Sequence, residues 1–155
     1  FTELGWLAGA DREEDGYVSA VADLDRDGHQ DLILRNGDPA PSRPARAVVL
    51  LRNRGLGGRS LSVAVEGRES NREGLGAVVT AWLGDRKLTR EGRGGVGAAQ
   101  SPAVAYFGLG EAARADRLEV RWPSGRTESY SGVPAGRVLL REGNGYVSLA
   151  APERP

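Results

Sequence analysis

Asp23-Leu24-Asp25-Arg26-Asp27-Gly28-His29-Gln30-Asp31 places carboxylates at its first, third, fifth and ninth positions and a glycine at its sixth. Four like charges in nine residues repel one another unless water screens them or a cation sits among them. A hard divalent ion takes several oxygens at about 2.3 to 2.6 Å, and a loop with this spacing can wrap one, using carboxylates and a carbonyl at position seven. That carbonyl belongs to His29, whose backbone is engaged while its ring is expected to face solvent. The predicted metal ligands are therefore Asp23, Asp25, Asp27, His29 through its carbonyl, and Asp31, with Ca²⁺ as the cofactor. Gly28 suits the sharp turn that brings the later ligands back.

The flanks decide what kind of loop this is. An EF-hand needs a bidentate Glu at position twelve and a helix on each side; position twelve here is Leu34. Residues 17–22 before the loop and 32–34 after it are short apolar runs, which predict strands and put the loop at the tip of a β-hairpin. With those residues in place, the stretch GYVSAVADLDRDGHQDLILRNGD resembles one FG-GAP (VCBS-type) repeat, the calcium-loop repeat of integrin-type β-propellers.

Composition narrows the function classes. The chain has 155 residues, enough for one domain or a small domain with an appendage. Its 21 basic and 21 acidic side chains cancel, so no net field draws it to nucleic acid or to an anionic membrane. No apolar run approaches the roughly 20 residues of a membrane-spanning helix. Cysteine is absent, which removes disulfides, thiolate zinc sites and thiol catalysis. The start, FTELGWLAGA, is not an intact secretory signal, and a mature segment or an excerpt of a longer protein is expected.

Beyond residue 36 the run NGDPAPSRP is dense in turn formers and marks a linker, dividing the chain into 1–44 and 45–150. The apolar run 47–51 suits a strand buried on both faces. Further strands are predicted at 61–66, 77–83, 104–107, 117–122, 126–130, 138–140 and 146–149, with Trp122-Pro123-Ser124-Gly125 as a type I turn. Glu111 to Asp116 is predicted as a single helical turn. Strands at this spacing point to an all-β fold, a β-hairpin calcium loop packed against a β-sandwich or barrel-like domain.

That second part carries its own resemblance. The blocks Ser70 to Ala77 (SNREGLGA), Phe107 to Gly110 (FGLG) and Leu118 to Gly125 (LEVRWPSG) are similar to the ASPIC/UnbV domain, which follows FG-GAP repeats in the cartilage acidic protein family. The segment GGVGAAQSP departs from the family in lacking an aromatic. The resemblance implies calcium-dependent extracellular binding or adhesion, a secreted or cell-surface location, no catalytic chemistry, and an extracellular protein, a glycan or upstream propeller blades as partners.

Sharper alternatives are weaker. Residues 92–97 match G-x-G-x-x-G, but no helix follows to receive a pyrophosphate. The single histidine lies in the acidic loop, which leaves no catalytic triad. The pairs Asp116 and Glu119, or Asp85 and Glu91, have nothing to distinguish them from wet-face charges. Arg68, Arg72, Arg90 and Arg93 are interleaved with Glu66, Glu69, Glu73 and Glu91. Trp82 falls opposite to the apolar side of its strand, so a carbohydrate-binding surface, or an accessory role beside a polysaccharide-acting enzyme, is the alternative reading.

Overall fold

The computed structural model describes residues 5, 16–36, 48–55, 57–92 and 103–149. Among these residues the chain is all-β, with eleven strands in three sheets and no helix. None of the described residues forms a helix long and apolar enough to cross a membrane. The linker from residue 37 and the glycine-rich segment 93–102 lie outside the described residues.

The first sheet is small. β1 (Gly16–Ala22) and β2 (Asp31–Asn36) form the expected antiparallel hairpin, with Ala22 opposite Asp31 at the mouth of the acidic loop. β3 (Val49–Leu51) adds to β2, pairing Leu32 with Leu51. The apolar run around β3 was expected to be buried on both faces. Instead Val48 is 62% and Leu50 55% exposed, because β3 joins a thin three-stranded sheet and not the main core.

The other two sheets have four strands each. One runs β11 (Gly145–Leu149), β10 (Gly136–Arg141), β4 (Arg59–Glu66), β7 (Val104–Gly110). Its partner runs β6 (Arg86–Glu91), β5 (Val78–Leu83), β8 (Arg114–Arg121), β9 (Thr127–Pro134). Period-two alternation directs Leu61 and Val63 of β4, Phe107 of β7 and Leu140 of β10 inward from the first. Val79 and Ala81 of β5, Leu118 and Val120 of β8 and Val133 of β9 meet them from the second. β4 and β10 pair in parallel, Val63 beside Val138, in an otherwise antiparallel arrangement.

The expected helical turn at 111–116 does not form. Ala112 N–H closes a turn on the Leu109 carbonyl at 3.2 Å, and β8 begins at Arg114. Alanine and arginine favour helix locally, but one turn gains too little to nucleate, whereas Ala115 opposite Val133 is fully buried. β6 carries only Leu88 as an apolar residue; as a charged edge strand, it resists pairing with other chains. The turn at Trp122 forms as predicted, with Gly125 N–H donating to the Trp122 carbonyl at 2.9 Å.

The loops between sheets converge on one acid. Glu142, just past β10, is 1% exposed. Its Oε2 accepts N–H bonds from Arg68, Glu69 and Ser70 at 2.8, 2.9 and 2.7 Å. Its Oε1 accepts the hydroxyls of Ser70 at 2.9 Å and Ser124 at 2.5 Å. The 67–70 turn fits only because residue 67 is glycine: a Cβ there would meet the Asn71 carbonyl oxygen at 2.2 Å. Beside it, Glu128 accepts from the Trp122 indole at 2.9 Å, the Tyr130 hydroxyl at 3.1 Å and Gly143 N–H at 2.9 Å. Burial, then the Glu128 hydrogen bond and charge, push the Tyr130 phenol up to about 12.

Burial alone would raise the Glu142 pKa, but the bonds from Ser124, Ser70 and Arg68 outweigh it and hold the group at about 2, below its usual 4.5. The folded state therefore binds this proton less readily than the unfolded chain, so the stabilisation is complete above about 4.5 and is lost as pH falls towards 2. Glu142→Gln is expected to cost about 2 kcal/mol or more at pH 7 and to flatten the acid side of the stability profile. Urea unfolding of both proteins at steps between pH 7 and pH 2 checks this; parallel profiles would contradict it.

Candidate metal centre

The loop between β1 and β2 folds on its own carboxylates. Asp23 Oδ2 accepts the Gly28 N–H at 3.1 Å, Asp25 Oδ1 that of Asp27 at 3.3 Å, and Asp27 Oδ1 that of His29 at 2.9 Å. The last two are aspartate side chains capping the backbone two residues on, a turn that competes well with regular structure. Arg26 takes a left-handed φ of 60° and Gly28 one of 93° to complete the curl. A Cβ at Gly28 would lie 2.5 Å from Ser60 Oγ, so the loop tip is seated on the start of β4.

This curl brings three of the predicted ligands together. One oxygen each from Asp23, Asp25 and Asp27 lie within 4.8 Å of one another. At such separations two like charges repel by about 1 kcal/mol even in bulk water, and more where water is excluded. The arrangement needs positive charge. Arg52, just beyond β3, supplies part of it: its guanidinium pairs with Asp25 and stands 3.9 Å from Asp27 Oδ2. Asp23 Oδ1, in contrast, is buried with no hydrogen-bond partner among the described residues. The acidic loop thus offers converging hard oxygens and one unsatisfied acceptor, and could hold a metal ion.

The other two predicted ligands sit differently. Asp31, 2% exposed, lies outside that group of three; it accepts the N–H of Leu24 through Oδ2 at 3.1 Å and that of Asn53 through Oδ1 at 2.9 Å. It ties the loop to the strand after the linker. The His29 ring does not face solvent as expected. It packs over Gly55, where a Cβ would meet Nε2 at 2.5 Å, and Gly55 N–H is held by Asn53 Oδ1 at 3.0 Å.

The loop also reaches the main domain through Tyr106 on β7. Burial raises the pKa of its phenol, the Asp23 backbone beside it opposes that rise, and the Asp23 charge adds to it. Beside the tip lies a half-open cavity of about 350 Å³, lined by Arg26, Asp27 and Ser60 on one side and Arg137, Ser148 and Leu149 on the other. The remaining sequence candidates fall elsewhere. Asp116 accepts the Gly84 N–H at 2.6 Å. Trp122 is core, while Trp82, on the outer face, carries the Arg117 guanidinium 3.8 Å from its ring centroid and Lys87 at 5.6 Å. The segment with the G-x-G-x-x-G match lies outside the described residues from 93 onward.

A family model described as ASPIC and UnbV matches residues 67–146, just over half of the chain. The chain belongs to the ASPIC and UnbV family. No curated protein matches it. The matched span contains all three blocks that resembled the domain, and with them the whole Glu142 network: Arg68, Glu69 and Ser70, Ser124, and Glu142 itself. It begins beyond the hairpin, and the comparison gives no evidence for an FG-GAP repeat there.

Sequence reading missed Arg52, Glu142 and Glu128. Arg52 precedes no motif, and both glutamates look like ordinary strand-end charges until the loops they bind are placed. Asp31→Ala is expected to lower stability by about 1–3 kcal/mol in a chelating buffer, since two backbone N–H groups lose their acceptor. Asp25→Ala, on the exposed side of the loop, is expected to change it by less than about 0.5 kcal/mol under the same conditions. Urea denaturation in EGTA separates the two, and equal losses would contradict the anchoring role given to Asp31.

Proposed function

We propose that this ASPIC/UnbV protein is a calcium-stabilised, non-catalytic binding or scaffolding module working outside the cell. The observation that carries the metal is the buried Asp23 Oδ1, without a hydrogen-bond partner among the described residues, beside the carboxylates of Asp25 and Asp27. An acceptor removed from water and left without a donor costs free energy, and a cation among these oxygens removes that cost. All the available donors are hard oxygens, which suit calcium better than a softer ion. In this reading Asp23, Asp25 and Asp27 hold the ion, the His29 carbonyl supplies a further oxygen, and Asp31 completes the loop while anchoring its base.

The ion's contribution is electrostatic: it neutralises the aspartates and fixes the hairpin tip against β4. Extracellular modules work with calcium affinities of about 10⁻⁴ to 10⁻³ M, so a loop of this kind fills where calcium is abundant. The cavity between the tip and the Arg137 region is where a partner, an extracellular protein or glycan, or preceding blades of the same chain would meet the stiffened loop. The polar groups held by Glu142 and Glu128 are engaged in structure, which supports a binding role over chemistry.

Calcium at tenfold to a hundredfold above its Kd is expected to stabilise the protein by about 1.4–2.7 kcal/mol, raising the Tm by several degrees over EGTA. Asp25→Ala removes that gap. Calorimetric scans of both proteins in 10 mM CaCl₂ and in EGTA provide the test. Coincident wild-type melting curves would refute a stabilising metal.

A further inference from the structure

We infer that Arg52 is a built-in competitor for the cation of the aspartate loop and sets how much calcium is needed to fill it. The inference rests on the reading of that loop as a calcium site. Asp25 Oδ1 and Asp27 Oδ1 each accept a backbone N–H, which leaves Asp25 Oδ2 and Asp27 Oδ2 as the oxygens open to a cation, and these are the ones the guanidinium approaches. Arginine stays protonated at any physiological pH, so the competitor is always charged.

Its placement is built into the fold. Leu51 pairs with Leu32 at the end of β3, which delivers Arg52 beside the loop. The next residue is pinned, Asn53 N–H to Asp31 at 2.9 Å, and Asn53 in turn holds Gly55 beneath the His29 ring. The base of the arm is therefore fixed. Its head is open to solvent: the Arg52 side chain is 56% exposed and that of Asp25 33%. An exposed ion pair of this kind is weak, so a divalent ion displaces the guanidinium at small cost. Among the described residues, Asp23 lies outside Arg52's ion pairs and its buried Oδ1 has no hydrogen-bond partner.

Two consequences follow from one residue. Without calcium, Arg52 partly neutralises the aspartates and keeps the loop from splaying. With calcium, it must yield its oxygens, which shifts filling to higher concentrations.

Titration calorimetry with CaCl₂ on the full chain, wild type, Arg52→Ala and Arg52→Lys, tests this, together with melting in EGTA. Arg52→Ala is expected to bind calcium three- to tenfold more tightly and to melt lower than wild type in EGTA, so that its calcium-dependent gap in Tm widens. Arg52→Lys, which keeps the charge, is expected within about twofold of the wild-type Kd. Calcium binding by wild type and Arg52→Ala with equal Kd would overturn the role of Arg52 while leaving the site standing; weaker binding by Arg52→Ala would do the same. Absence of calcium binding in every protein would remove the site and this inference together.

Discussion

A single buried carboxylate holds the sandwich's crossings in place. Glu142 leaves the first four-stranded sheet after β10. It binds the 67–70 segment that carries the chain from β4 in that sheet towards β5 in the other, and it reaches Ser124 in the β8–β9 turn of the second sheet. A charge removed from water without a counter-cation is ordinarily unfavourable by several kcal/mol. Here three consecutive backbone N–H groups and two hydroxyls take water's place, forming a nest for an anion. Because every donor belongs to a loop, the ionised acid favours these loop conformations over others. The ASPIC and UnbV match spans the acid and all its donors.

The acidic hairpin meets the same physical problem and solves it the other way. Glu142 is buried, fully satisfied and closed to exchange. Asp25 and Asp27 are wetter and share an exposed guanidinium, and a neighbouring oxygen has no donor among the described residues. A closed carboxylate specifies a fold; an open cluster can trade one cation for another. The contrast separates a part of the molecule that maintains shape from a part whose charge balance depends on what is dissolved around it.

The all-β class was legible because it depends on local signals: period two in Leu61, Val63 and Val65, or in Leu118, Val120 and Trp122, and turn residues between such runs. The loop's convergence was legible for the same reason, since Asp25 and Asp27 bond N–H groups only two residues away. What escaped depends on distant partners. Residues 111–116 read as helix because Ala115's place opposite Val133 is set by a strand lying well beyond it in the sequence. The run around β3 looked core-like because hydrophobicity alone does not say which sheet a strand will join. Asp31 has a part that spacing does not show: its carboxylate accepts the N–H groups of Leu24 and of Asn53, the latter across a linker whose course no pattern predicts. Arg52, Glu128 and Glu142 have the same difficulty in stronger form: each is an ordinary surface residue by type, and its role exists only in three dimensions.

The hairpin's attachment gives the acidic loop a reach beyond its own residues. Two strands alone are marginal in water, and even the third, β3, leaves Val48 and Leu50 largely exposed. The small sheet therefore gains little from burial and depends on its contacts at the tip: Gly28 against Ser60, the Asp23 backbone against Tyr106, and Asp31 against Asn53. The first two join the tip to the sandwich, and the third ties the base of the loop to the segment after β3. Neutralising the aspartates thus acts at the seam between the small sheet and the sandwich, where a change of a few tenths of an ångström at Gly28 is felt directly by β4. A cation bound in the middle of a long, self-supporting hairpin would stiffen only that hairpin, whereas one bound here stiffens the joint.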